Sequence, residues 1–326
     1  MAIDSIPTTE KRGDWLALAS KYRVLLTLLF LAIFPWITPY EALAVNILIL
    51  GLFALGFNLI FGSPGLLSFG HAAFLGSGAY GCGIAIVHYG FGWFAAILTG
   101  VAVATFFAVI IGFLAIRTRG IYFAMVTLAL SMCVYYLFYQ LQGLTGGENG
   151  LRGVNLQTIS VFGYPVSFIK PITKYYVILC FVGVAIWLFS RVLNSPFGAV
   201  LEAIRENEGR ARACGYDVSR TKFVAFVLSG AICGLAGALN AIHLSIVPVE
   251  TLHYTTSGQV VMMALLGGMG TFFGPFVGAA TFLLVQDVLS NMTTHWQLFV
   301  GIIFIVFVLF FPRGIWGSIL DWMERK

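Results

Sequence analysis

The sequence predicts an all-α polytopic membrane protein, a single transmembrane domain over residues 1–326 with about ten transmembrane helices, some of them broken. Three observations carry that prediction. Hydrophobic residues make up 60% of the chain and charged residues only 10%, where soluble domains are about 25% charged. Apolar windows of the roughly 20 residues that a helix needs to cross a hydrocarbon core of about 30 Å recur along its length. The basic residues, finally, sort cleanly between the two sides of the membrane that those windows define.

The windows lie near 22–38, 41–62, 66–88, 92–116, 121–142, 174–193, 221–244, 257–268, 273–291 and 296–311, the eighth short and the third rich in glycine. The first reads as an uncleaved span, because Phe34, Pro35 and Trp36 stand where a signal peptide would carry small residues. Trp36 and Tyr40 fall at its outer interface. Placing the stretch 194–222 in the cytoplasm puts both termini and the loops near 62–66, 117–120 and 267–272 on the same side. Of the 18 basic residues, only Arg152, Lys170 and Lys174 then lie outside. The pI near 9.0 therefore reports topology and calls for no nucleic acid. Three segments leave the membrane: a cytoplasmic N-terminal segment 1–21, an outer segment 143–173, and the cytoplasmic stretch 194–222.

That last stretch is the one place between the termini where charges come densely, with Glu202, Arg205, Glu206, Glu208, Arg210, Arg212, Asp217, Arg220 and Lys222 between two apolar runs. A helix is expected from Pro196 to Cys214, capped by Ser195, with Pro196 at a first position where a missing N–H costs nothing and Gly215 as the stop. Val200, Ala203, Ile204, Ala211 and Cys214 then share one stripe. Such a helix either lies along the lipid headgroups or docks into another protein. Mixed Glu and Arg favour a protein groove, because an anionic membrane selects Lys and Arg on the polar face.

Glycine, with 37 copies, marks close helix packing where it recurs at four-residue spacing, as in Gly230/Gly234 and Gly274/Gly278. Two denser runs, Gly62 to His71 and Gly267 to Pro275, are expected to break their helices. Broken helices at membrane depth are tolerated where backbone is buried in protein or lines a cavity, and one such break in each half suggests a transporter built of related halves. The GxGxxG of Gly76–Gly81 lies within a span and lacks the strand–turn–helix setting of a dinucleotide site. Polar residues at membrane depth are Glu41, Asn46, Asn58, Ser68, His71, Asn240, His243, Gln259 and Asp287. For each, a helix-to-helix hydrogen bond competes with a place on a solute path. Asn58, Ser68, His71, Gln259 and Asp287 are the path candidates. Thr145, Gly146, Gly147, Asn149 and Gly150 form a glycine-rich outer turn, either a flexible joint or a carboxylate-greeting surface of backbone N–H groups.

The five cysteines form no CxxC pair, and no metal-ligand spacing occurs. There is no GxSxG, no HExxH and no GxxxxGK[ST]. The chain is expected to bind no cofactor of its own, and energy from ATP would have to come through another subunit.

From about Glu41 to Trp316 the chain resembles the LivM-type permease subunits of bacterial branched-chain amino acid ABC importers. The resemblance rests on Gly51–Asn58 followed by Gly65–His71, on Arg117–Leu128, Thr145–Gly150, Leu201–Glu206 through Gly215, Leu265–Gly270 and Phe311–Ile315, in that order. It implies the helical fold of ribose and branched-chain amino acid permeases, with roughly ten spans in the bacterial inner membrane. It also implies a related second permease, two ATP-binding subunits that hold ATP and Mg, and a periplasmic substrate-binding protein. The charged stretch would be the coupling helix seated on an ATPase, with Glu202-Ala203-Ile204 as this family's form of the EAA motif, Arg205 and Glu206 beside it, and its glycine at Gly209 or Gly215. Branched-chain amino acids are the implied cargo, with urea, short amides or small aromatic acids as alternatives. A self-sufficient channel or secondary carrier is the competing class, disfavoured by the scarcity of buried ionisable groups.

Overall fold

The structure, a computed structural model, describes residues 23–36, 38–154, 158–161, 164–167, 171–311 and 314–318. The expected N-terminal segment 1–21 and Lys170 lie outside them. Twelve helices of six or more residues organise these described residues: α1 (Arg23–Ile33), α2 (Glu41–Gly62), α3 (His71–Val87), α4 (Trp93–Ala115), α5 (Ile121–Gln140), α6 (Pro171–Leu193), α7 (Pro196–Glu206), α8 (Glu208–Ala213), α9 (Val218–Leu244), α10 (Tyr254–Gly267), α11 (Gly274–Met292) and α12 (Trp296–Phe310). A helix thus stands at every one of the predicted windows. Six of the described helices are long and apolar enough to cross a membrane, and the shorter apolar helices Val24–Trp36 and His71–Val87 fall below that length.

Burial separates the inner helices from the outer ones. In α2, 89% of the apolar window is enclosed by protein, whereas the span beginning at Trp296 buries 12%. The first is the centre of the bundle; the second presents its apolar surface outward, as a helix facing lipid or a second membrane chain must. Around α2 pack α9, α11 and α6, and α9 also holds α3 and α4.

Between apolar helices in lipid there is little hydrophobic drive, so close approach and dispersion hold the bundle together. Here the paired glycines act as their spacing predicts. A methyl group at Gly234 would collide with Ala104 of α4, and one at Gly78 of α3 with the Gly234 carbonyl. At Gly278 a methyl would strike the Met263 carbonyl, which sets α11 against α10.

The reading of the charged stretch needs correction. The charged stretch is two helices: Asn207 turns extended (φ −159°, ψ 102°), ends α7, and caps α8 by accepting from the Arg210 N–H. The break shifts the buried stripe to Gly198, Leu201, Ile204 and Ala211, leaving Ala203 and Cys214 exposed. Ser195 precedes the helix but offers no side-chain cap, since its hydroxyl donates to the Val192 carbonyl. Gly215, by contrast, is the left-handed stop (φ +89°) that the sequence predicted.

The segment between α5 and α6 carries short strands. Leu151–Arg152 pairs antiparallel with Ile246–Val247, and Thr158–Val161 forms a hairpin with Tyr164–Ser167. These strands satisfy backbone groups beyond the helix ends.

Candidate functional site

The two glycine-rich breaks meet. Gly62 ends α2 beside Gly270, close enough that a methyl on Gly62 would lie 2.9 Å from the Gly270 Cα. Asn58, one turn earlier on α2, bridges them: its Oδ1 accepts from the Gly270 N–H at 3.0 Å and its Nδ2 donates to the Thr271 carbonyl at 3.0 Å. Both hydrogen-bonding sides of a buried amide are satisfied by one turn, which fixes that turn against α2.

Onto this junction α7 places Arg205, whose Nη1 donates to the Gly62 carbonyl at 2.6 Å. A carbonyl at a helix C-terminus has no partner within the helix and carries partial negative charge, so a guanidinium is well matched to it. Leu201 and Ile204, 0% and 4% exposed, anchor the same helix from beneath. Glu202, Ala203, Glu206 and Gly209 remain exposed. The predicted coupling residues thus divide: Arg205 joins the charged stretch to the bundle, Ile204 packs against Ala211 and Val218 within the stretch and at the start of α9, and the others face outward, with Gly215 at the far turn.

Glu208 is a charge hub that the spacing alone did not reveal. Its carboxylate meets Lys222 Nζ at 2.8 Å, Arg212 at 3.1 Å and Arg119 at 3.7 Å. The hydrogen bond from Lys222 holds this carboxyl below its ordinary value; partial burial opposes that, and the charges of Lys222, Arg119 and Arg212 add to it. One carboxylate thereby ties α8 to the start of α9 and to the loop after α4. The legible signal was the Asn207-Glu208 pair, a capping residue followed by an acidic first-turn residue.

The path candidates do not gather into one cluster. His71, fully buried, shares a hydrogen bond of 2.9 Å between Nε2 and the Ser229 hydroxyl, which donates to the Gly56 carbonyl at 2.6 Å. Because the Ser229 proton is committed to Gly56, Nε2 is the donor to Ser229, and the chain rivets α2, α3 and α9. Ser68 accepts from the Gly70 N–H at 3.2 Å within the first break. Gln259 is half-buried on α10. Asp287 accepts from the Tyr40 hydroxyl at 2.6 Å at the start of α2, the opposite end of that helix from Asn58.

In the outer turn, Thr145 is buried and its hydroxyl donates to the Phe138 carbonyl at 2.6 Å. The N–H groups of Gly146, Gly147 and Gly150 are taken up by Gln142, Thr145 and Gly147 respectively. Gly150 abuts the Val247 carbonyl, and Asn149 is exposed. The turn is a joint between α5 and the strand pair. Among the described residues, no group of three or more His, Cys, Asp or Glu could hold a metal ion.

The family model described as the branched-chain amino acid transport system permease component matches residues 40–309. The chain belongs to this family. It is 28% identical over 281 residues to the high-affinity branched-chain amino acid transport system permease protein LivM of Salmonella typhimurium, covering 80% of this chain and 66% of that one. LivM of Escherichia coli matches to the same extent. The autoinducer 2 import system permease protein LsrC of Klebsiella pneumoniae is 35% identical over 124 residues, 35% of each chain. The chain thus spans just under two thirds of the LivM proteins it matches. No solved structure matches it. This permease family assignment agrees with the several membrane-crossing helices.

Proposed function

We propose that the chain is the membrane-spanning permease subunit of an ATP-driven importer that moves branched-chain or other small amino acids inward by alternating access. It is not itself an enzyme on this reading. It works in a bacterial inner membrane with about ten spans and both termini cytoplasmic. It pairs with a second, related permease, with two ATP-binding subunits that carry ATP and Mg, and with a periplasmic binding protein. Relatives named LivM and LivH support the two-permease arrangement.

The observation that carries the reading is Arg205 on the Gly62 carbonyl. It links a helix with an exposed acidic face to the place where both broken segments meet. When ATP closes the two partner subunits, a groove holding Glu202, Ala203, Glu206 and Gly209 would drag α7, Arg205 would pass that motion to α2 and to the turn at Gly270, and Ile204 would carry it to the start of α9, as rigid-body rocking. Asn58 would keep the two breaks moving together. Ser68, His71, Gln259 and Asp287 would serve at or behind the path, with the outer turn Thr145–Gly150 on the face that meets the binding protein.

The match to autoinducer 2 permeases favours a second reading in which the same machinery carries a different small polar solute. Charge reversal at the exposed face tests the coupling role common to both. Glu202→Lys with Glu206→Lys is expected to lower ATP-dependent uptake about tenfold, as loss of two interfacial charge contacts of about 0.7 kcal/mol each predicts, with membrane insertion unchanged. Normal uptake by the double variant would overturn docking through α7.

A further inference from the structure

At the end of the bundle away from the charged stretch, aromatic rings and carboxylates converge without a partner of opposite charge. The 27 residues of α9 separate the two ends by about 40 Å. There Tyr135 stacks on Tyr139 at 6.1 Å between centroids, His253 stands edge-on to Tyr135 at 5.4 Å, and Tyr254 lies 4.3 Å from His253. Tyr135, Tyr139 and His253 are all half-buried. Glu250 lies in the turn Val249–Leu252, which packs against both α3 and α5, and Glu148 in the turn Gly147–Asn149, which packs against α5 and against that first turn. Neither carboxylate makes an ion pair among the described residues, where all three ion pairs fall on Glu208.

Independent of these groups is a hydroxyl that lacks a partner. Tyr80 is 0% exposed, its ring packs 5.1 Å from Phe138, one turn of α5 from Tyr135, and its hydroxyl finds no hydrogen bond. Ser131, one turn along α5 from Tyr135, carries a second buried hydroxyl in the same condition. A buried hydroxyl left unpaired is unfavourable, so a polar group that reached either one would be held there.

We propose that Tyr80, Tyr135, Tyr139, His253, Glu148 and Glu250 form a recognition site for a primary ammonium group. Ring faces attract a cation and resist its hydration shell, while carboxylates supply the charge. An aromatic wall with two free carboxylates suits an alkylammonium better than a metal ion, which takes oxygen ligands at short range. Its role in transport rests on the amino acid reading above: the site would receive the α-ammonium of a solute released at this end of the bundle. Glu250 and Tyr135 are the principal contacts, and the Tyr80 hydroxyl accepts from the ammonium or from its bridging water.

Binding can be tested apart from transport, on the full chain with its partner subunits in nanodiscs, by saturation-transfer NMR. The probes are leucinamide, a protonated amine, and 4-methylpentanamide, its neutral counterpart. Transfer to leucinamide is expected to exceed that to 4-methylpentanamide by about fivefold, and to fall by about the same factor in Glu250→Gln and Tyr135→Leu, while Tyr135→Phe retains it because the ring face remains. Equal transfer to the two probes, or an unchanged preference in Glu250→Gln, would overturn the site. A loss in Tyr135→Phe as large as in Tyr135→Leu would also count against it, since a structural hydroxyl would then explain the effect. Intact leucinamide recognition in a complex that takes up no amino acid would preserve the site and remove the transport reading.

Discussion

Replacing Glu208 by glutamine is expected to loosen the charged stretch and to uncouple the subunit more than any single change at its exposed face. Lys222, whose side chain is 10% exposed, would lose its only carboxylate among the described residues, and Arg212 and Arg119 would lose theirs. Stranding one partner of a part-buried pair costs about 1–2 kcal/mol, a factor of roughly 5–30 in the population of the opened form. Limited proteolysis between α8 and α9 should accelerate accordingly, with the helices of the bundle still protected. The pH dependence follows from the sign of the shift. Because the folded carboxyl titrates below its ordinary value, its stabilisation is complete above the unfolded carboxylate pKa of about 4.3 and is lost as pH falls through the folded value. Protection of this segment should therefore be flat from neutral pH down to about 5 and fade only in stronger acid. Loss of protection already near pH 6 would show that Glu208 is not what holds it.

The second large effect is expected at Gly234. Its Cα approaches Ala104 of α4 so closely that a methyl group has no room, and Gly78 of α3 meets its carbonyl on the other side. Gly234→Leu places a branched side chain into a three-helix contact made of backbone and the rotamer-free Ala104 methyl. Overpacking in a core that can adjust costs about 1–3 kcal/mol, and backbone cannot step aside as a side chain can. The expected result is loss of the monodisperse, folded species after detergent extraction. Gly301→Leu is the control: it lies on α12, and a Cβ there meets nothing within 4 Å. Equal behaviour of the two variants would contradict glycine-mediated packing at the centre.

How much of this was legible beforehand varies with the physical signal. Apolar windows report helices well because a bilayer-spanning segment must satisfy its own backbone, and each predicted window carries one. The paired glycines were legible for the same reason: four-residue spacing puts both on one face, and close approach is what glycine uniquely permits. The break at Asn207 was legible in principle but was overridden by the apparent continuity of Val200, Ile204 and Ala211. A capping asparagine with an acidic residue after it outweighs that stripe.

Long-range partners were not legible. Arg205 is separated from Gly62 by 143 residues and Ser229 from His71 by 158, and nothing in local spacing pairs them. The same holds for the two breaks, each visible as a glycine run, whose meeting through Asn58 depends wholly on the packing of α2 with α11. The aromatic group around Tyr135 has no local signature, because its members come from α3, α5 and the turn before α10. A tyrosine near a helix end reads as an interfacial anchor until its neighbours are known.

The most direct test of the permease reading is uptake of labelled leucine into proteoliposomes that hold this chain, a second permease and two ATP-binding subunits, with and without ATP and with and without a binding protein. The account predicts uptake only when ATP and the binding protein are both present, and its loss when Glu202 and Glu206 are reversed in charge. Leucine flux through this chain alone, indifferent to ATP, would contradict it.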